Sequence, residues 1–166
     1  MKLNREPVIE LIDLCIPILT EYKEYLKIKH PSFNIEVGES QIGSLTSYQG
    51  HHVYLECYRD GYINDEPNCI TMEVSMKSLN TDKPIMDSLD VCWGGDGIPP
   101  ELNGLDLLSE EIPWGEIAVE RIKQGLPKLR DNMDECLKAW EDQYPKKNKT
   151  TANNGYNSLW FCATPK

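Results

Sequence analysis

HHVYLECYRD (51–60), CITMEVSMK (69–77) and SLDVCWGG (88–95) decide the fold of this chain. In the first, Val53, Leu55 and Cys57 alternate with His52, Tyr54, Glu56 and Tyr58. In the second, Ile70, Met72, Val74 and Met76 alternate with Cys69, Thr71, Glu73, Ser75 and Lys77. In the third, Leu89, Val91 and Trp93 alternate with Ser88, Asp90 and Cys92. Strand side chains point to opposite faces with period two, so each run has one apolar face and one polar face. Polar, turn-rich links join the runs, which predicts an antiparallel meander through residues 51–94 with one side buried and one side wet.

Outward from this centre, FNIEV (33–37) reads as a further strand, giving about four in all. GESQIGSLTSYQG (38–50) reads either as a weak edge strand around Ile42–Tyr48 or as a loop. Residues 5–29 carry Leu11, Ile12, Cys15, Leu19, Tyr22 and Leu26 at helical spacing, with Asn4 as N-cap and Lys27 and Lys29 at the C-terminal end of the dipole. His30-Pro31 ends that helix, and Pro17 is expected to kink or split it. Residues 113–143 repeat the pattern with Ala118, Ile122, Leu126, Leu129, Met133, Leu137 and Trp140. Pro113 is expected in its first turn, and Gly125 and Pro127 are expected to bend or break its middle. The fold class is therefore α+β, an antiparallel meander with long N- and C-terminal helices packed on one face. One domain spans 1–144. Residues 145–166 read as a polar, basic linker ending in a short apolar segment, Leu159–Cys162.

Composition narrows the class. At 166 residues, 40% hydrophobic and 27% charged, the chain can bury a core without staples. Its opening does not read as a signal peptide, because Glu6, Glu10 and Asp13 interrupt the apolar run, and no stretch approaches the roughly 18–20 apolar residues of a membrane span. A cytoplasmic protein without membrane contact is expected. The six cysteines are scattered, with no CxxC, which favours free thiols.

Charge is the most informative feature. Residues 56–120 hold fifteen carboxylates against Arg59, Lys77 and Lys83, a net −12 within a chain whose total is −10. A field of one sign steers partners of the opposite sign and repels nucleic acid, so direct nucleic-acid binding is not expected. The polar face of the meander adds tyrosines, which give large contact area and a hydroxyl at low entropic cost. The expected partner-binding residues are Glu36, Tyr54, Glu56, Tyr58, Glu73 and Asp90 on that face, with Asp60, Asp65, Glu66 and Asp96 in the adjoining loops. A plain solvated sheet face is the competing reading of the same residues.

Catalytic machinery is not assembled by the sequence. His51 and His52 are adjacent and should face opposite ways, so they do not converge on a metal, and no HExxH or zinc-like cysteine spacing occurs. GGDGIPP (94–100) follows a strand without opening a helix, which removes the dinucleotide and P-loop readings. No cofactor, metal or enzymatic activity is expected. The function that fits is an acidic binding protein covering a basic protein partner. Its most concrete form is a class-level analogy, carried by size and charge placement and not by any motif. Bacterial immunity proteins, small and often acidic, inhibit cationic nuclease-type toxins in this way. A small-molecule-binding or enzymatic domain with a pocket between sheet and kinked helices is the first alternative. A structural or self-assembling subunit is the second.

Overall fold

The computed structural model describes residues 5–43, 48–60, 66–79, 83–94 and 104–145. Helix α1 (Arg5–Lys29) leads into strands β1 (Asn34–Gly43), β2 (Tyr48–Tyr58), β3 (Cys69–Leu79), β4 (Ile85–Gly94) and β5 (Ile112–Pro113), and helix α2 (Glu116–Gln143) closes the order. All four strand pairings are antiparallel, and the spatial order β1-β2-β3-β4-β5 repeats the chain order. The fold is α+β, with one strand more than the alternation suggested.

Both helices lie on the apolar face of the sheet. Val53, Leu55, Cys57, Ile70, Met72, Val74, Met76, Leu89 and Val91 meet Leu11, Cys15, Leu19 and Leu26 of α1 and Ala118, Ile122, Leu126, Leu129, Met133 and Trp140 of α2 in one buried cluster. The helices run in the same direction. Arg130 lies over the rings of Tyr22 and Tyr25, Lys29 pairs with Asp134, and His30 places Nδ1 2.9 Å from Glu141 and Nε2 2.6 Å from Asp134. Both imidazole nitrogens of His30 thus face carboxylates at the point where α1 ends against α2.

Several local expectations are revised. Pro17 and Pro127 split neither helix; each is one continuous element. Pro17 sits on the solvent side of α1, where the carbonyl left without its partner can turn to water. Pro113 belongs to β5, opposite Ile85, not to the first turn of α2, which starts after Gly115 at φ 152°. β4 begins three residues earlier than its alternation implied. A register shift between Ser75 and Met76 leaves Asp87 as an extra residue on β4 and interrupts the period of two. Residues 39–43 lengthen β1 and 48–50 open β2, so the ambiguous stretch is strand at both ends; 44–47 lie outside the described residues. So do the Asn4 cap, the 145–166 tail beyond Pro145, and its apolar segment. The five described cysteines are free thiols, and no described helix is long and apolar enough to cross a membrane.

Candidate functional site: the uncovered sheet face

The opposite face of the sheet is covered by no described element. Register places its side chains in cross-strand rows. Asn34, Tyr58 and Cys69 form one row; Glu36, Glu56, Thr71 and Cys92 the next; Gly38, Tyr54, Glu73 and Asp90 the third; and Ser40, His52, Ser75 and Ser88 the fourth. Glu36 therefore lies directly opposite Glu56, and Glu73 directly opposite Asp90. An isolated bridge sets Asp106 beside Asp90 on the other side. Like charges directly opposite one another destabilise a sheet, and here they recur in two adjacent rows. No lysine or arginine stands in these rows.

The consequences appear in the titration of the carboxyls. Burial holds Asp90 above the usual aspartate range, and Glu73, Asp106 and Asp87 push it the same way. Cys92 keeps part of its surface open at the same edge and donates its thiol to Asp90 Oδ1 at 3.1 Å, and its own ionisation is pushed up to about 12 by the burial of the remainder and then by that carboxylate. Glu36 accepts the Tyr58 hydroxyl at 2.8 Å. Glu73 is the exception. His52 Nδ1 lies 2.5 Å from Glu73 Oε1, which lowers the Glu73 pKa and raises that of His52. Ser75 Oγ donates to the same oxygen at 2.5 Å and lies 2.6 Å from His52 Nδ1.

Ser75, His52 and Glu73 are the residue types of a hydrolytic triad, but their arrangement differs from a relay. A relay needs serine and carboxylate on opposite imidazole nitrogens. Here both meet Nδ1, Ser75 is 2% exposed, and the buried His52 Nε2 has no hydrogen-bond partner. The trio fixes the Glu73 carboxylate. His51 points the other way, toward Glu39 at 3.2 Å, so the two histidines diverge as adjacent strand residues must. Among the described residues no group of three or more His, Cys, Asp or Glu could hold a metal ion.

Between β1, β2 and β3 the face dips into an open concavity of about 300 Å³, lined by Ser40, His52, Tyr54, Glu56, Thr71 and Glu73. Gly38 makes the room: a Cβ there would stand 2.6 Å from the Tyr54 hydroxyl oxygen and 2.8 Å from Cζ, so the ring lies across the glycine. On the helix side, the space between β4, residues 107–108 and α2 amounts to about 90 Å³. That is well below the roughly 300–1,000 Å³ of a small-molecule site.

The expected residues divide accordingly. Glu36, Tyr54, Glu56, Tyr58, Glu73 and Asp90 share the uncovered face, and Asp60 is exposed just beyond the end of β2. Asp65 and Asp96 lie outside the described residues. Glu66 is corrected: it is 4% exposed, accepts Arg59 at 3.1 Å and Trp140 Nε1 at 2.6 Å, and serves the core. Arg59 in turn lies over the rings of Phe33 and Trp140 and donates to the Tyr144 carbonyl at 2.6 Å. The excess of acid is likewise not wholly free, since Lys77 draws in Asp87 and Glu111. His52, Thr71, Ser75, Gly38 and Asp106 were missed. Alternation alone puts the first three on the polar face, but the convergence of His52 and Ser75 on Glu73 requires the register. Comparison of the chain with protein-family models, with curated proteins and with solved structures found no match.

Proposed function

We propose that this protein binds a basic protein partner through the uncovered face of its sheet and neutralises it. Its most concrete form is an immunity-type inhibitor of a cationic, nuclease-like toxin. One observation carries the reading: Glu36–Glu56 and Glu73–Asp90 are like-charged pairs standing directly across strands on a face that no described element covers. Such pairs cost folding free energy, and a cationic surface laid over them removes the cost. The half-buried Tyr54 and Tyr58 supply the apolar area that turns a charged encounter into a lasting contact. The small space between sheet and α2 favours this surface over an internal pocket as the working part of the molecule.

The test is capture of a partner from the source cell by the wild-type protein and by a variant carrying Glu36→Gln, Glu56→Gln, Glu73→Gln and Asp90→Asn. The expected outcome is a basic protein retained by the wild type alone, with association slowing steeply as salt is added. Co-expression should then relieve whatever toxicity that protein has. Equal capture by the neutralised variant, or association indifferent to salt, refutes the reading.

A further inference from the structure

Resting on that reading of the open face, we propose that the concavity between β1, β2 and β3 receives the guanidinium of a partner arginine, laid on the Tyr54 ring and paired with the carboxylates of Glu56 and Glu73. The proposal adds a specific residue type to a general attraction, and the geometry of four groups leads to it.

Tyr54 lies directly opposite Glu73 on β3, and Glu56 follows two residues along its own strand, so an aromatic face and two carboxylates border one space. The ring is laid down because Gly38 opposite it has no side chain to hold it upright. With the space over Gly38 filled by the ring, a group entering the concavity meets Tyr54 from its other side. Glu73 is held in place by His52 and Ser75, and both engage Oε1. Oε2 is left without a hydrogen bond from any described residue. Ser40 and Thr71 add hydroxyls at the rim. Among the described residues the donor set fits no metal ion.

A guanidinium answers each of these features. It is planar, so it stacks on an aromatic face, and its five N–H donors can reach two carboxylates at once. An ammonium is a compact, strongly hydrated point charge that gains less from the ring and more from water. The floor of the concavity therefore discriminates between two cations that the electrostatic field of the face cannot tell apart.

The experiment uses oligo-arginine and oligo-lysine peptides of equal length, titrated into the full-length protein at low ionic strength and followed calorimetrically and by amide chemical shift. The arginine peptide should bind about fivefold more tightly, in keeping with a partly exposed cation–π contact. Its shifts should centre on Tyr54, Thr71 and Glu73. Tyr54→Leu should bring the two peptides to equal affinity, while Tyr54→Phe keeps the preference. Glu73→Gln should weaken both. Wild-type binding of both peptides with equal affinity overturns the arginine proposal and leaves the acidic docking face standing. So do shifts centred away from the concavity. Failure of both peptides to bind overturns the docking face as well. Because the wild-type comparison needs no substitution, the proposal stays testable if Tyr54→Leu does not fold.

Discussion

Replacing Asp90 by asparagine should make the protein more stable and a poorer binder. Asparagine is nearly isosteric and keeps an Oδ1 to accept the Cys92 thiol, so packing and that hydrogen bond are retained. What disappears is a charge set directly opposite Glu73 and bridged on the other side to Asp106. A like-charged cross-strand neighbour costs about 0.2–1 kcal/mol, so relieving two gives about 0.5–1.5 kcal/mol, toward the lower end because the site is half exposed and screened. For a chain of this size that is a rise in Tm of about 1–6 °C. The sign with pH follows from the raised pKa of Asp90. A carboxyl held above its unfolded value of 3.8 costs stability once pH rises past that value, and costs it fully above the folded value. The advantage of asparagine should therefore be complete at neutral pH and vanish in acid below the ordinary aspartate range. Thermal melts of both proteins across pH, at low and high salt, measure this directly. A less stable Asp90→Asn protein at neutral pH, or a gain that persists unchanged in acid, refutes the idea that this face carries uncompensated repulsion. Unchanged affinity for a basic partner refutes its link to binding.

The affinity for a basic peptide should rise as pH climbs past 6.5 and through the raised His52 value, because a protonated His52 opposes a neighbouring cation. The His52 pKa is raised chiefly by its hydrogen bond to Glu73, with Asp87 and Asp90 adding to it. Stability should move the opposite way over the same interval, since a raised histidine stabilises below its unfolded value of 6.5 and ceases to do so above its folded one. His52→Asn should flatten both profiles, and profiles that stay steep place the titrating group elsewhere. Glu66→Ala should destabilise by about 3–5 kcal/mol in urea unfolding, because it strands the buried Arg59 and Trp140 Nε1. A loss under about 1 kcal/mol would mean that Arg59 finds water. Cys92, although exposed, should alkylate far more slowly at neutral pH than an ordinary surface thiol, given an ionisation pushed to about 12. Ordinary reactivity, assigned by mass spectrometry, contradicts that environment.

Much of the architecture was legible because burial imposes a period. The 5–29 helix was readable to the residue, since Leu11, Cys15, Leu19, Tyr22 and Leu26 must share a face if they are to share a core. The polar face was legible for the same reason: parity alone groups Tyr54, Glu56, Glu73 and Asp90. What parity cannot supply is the register between strands, and it is the register that sets Glu36 opposite Glu56 and Glu73 opposite Asp90. Residues 85–87 were lost to the bulge, which breaks the period that makes a strand readable. Glu66 looked like a loop acid because its burial depends on Arg59, seven residues earlier, and on Trp140, far along the chain. A paired charge leaves no local mark.

A sheet whose spatial order repeats its chain order also says how the molecule is made. Every strand pairs with the one synthesised just before or just after it, so the meander can zip up hairpin by hairpin with little loop entropy to overcome at each step. Helix α1 leaves the ribosome before the strands it lies on, and until β1 and β2 have formed Leu11, Cys15, Leu19 and Leu26 are open to other chains. Helix α2 follows the sheet in the chain, and its Trp140 reaches back to Glu66 and to the Phe33 ring, so it ties residues made early to residues made late.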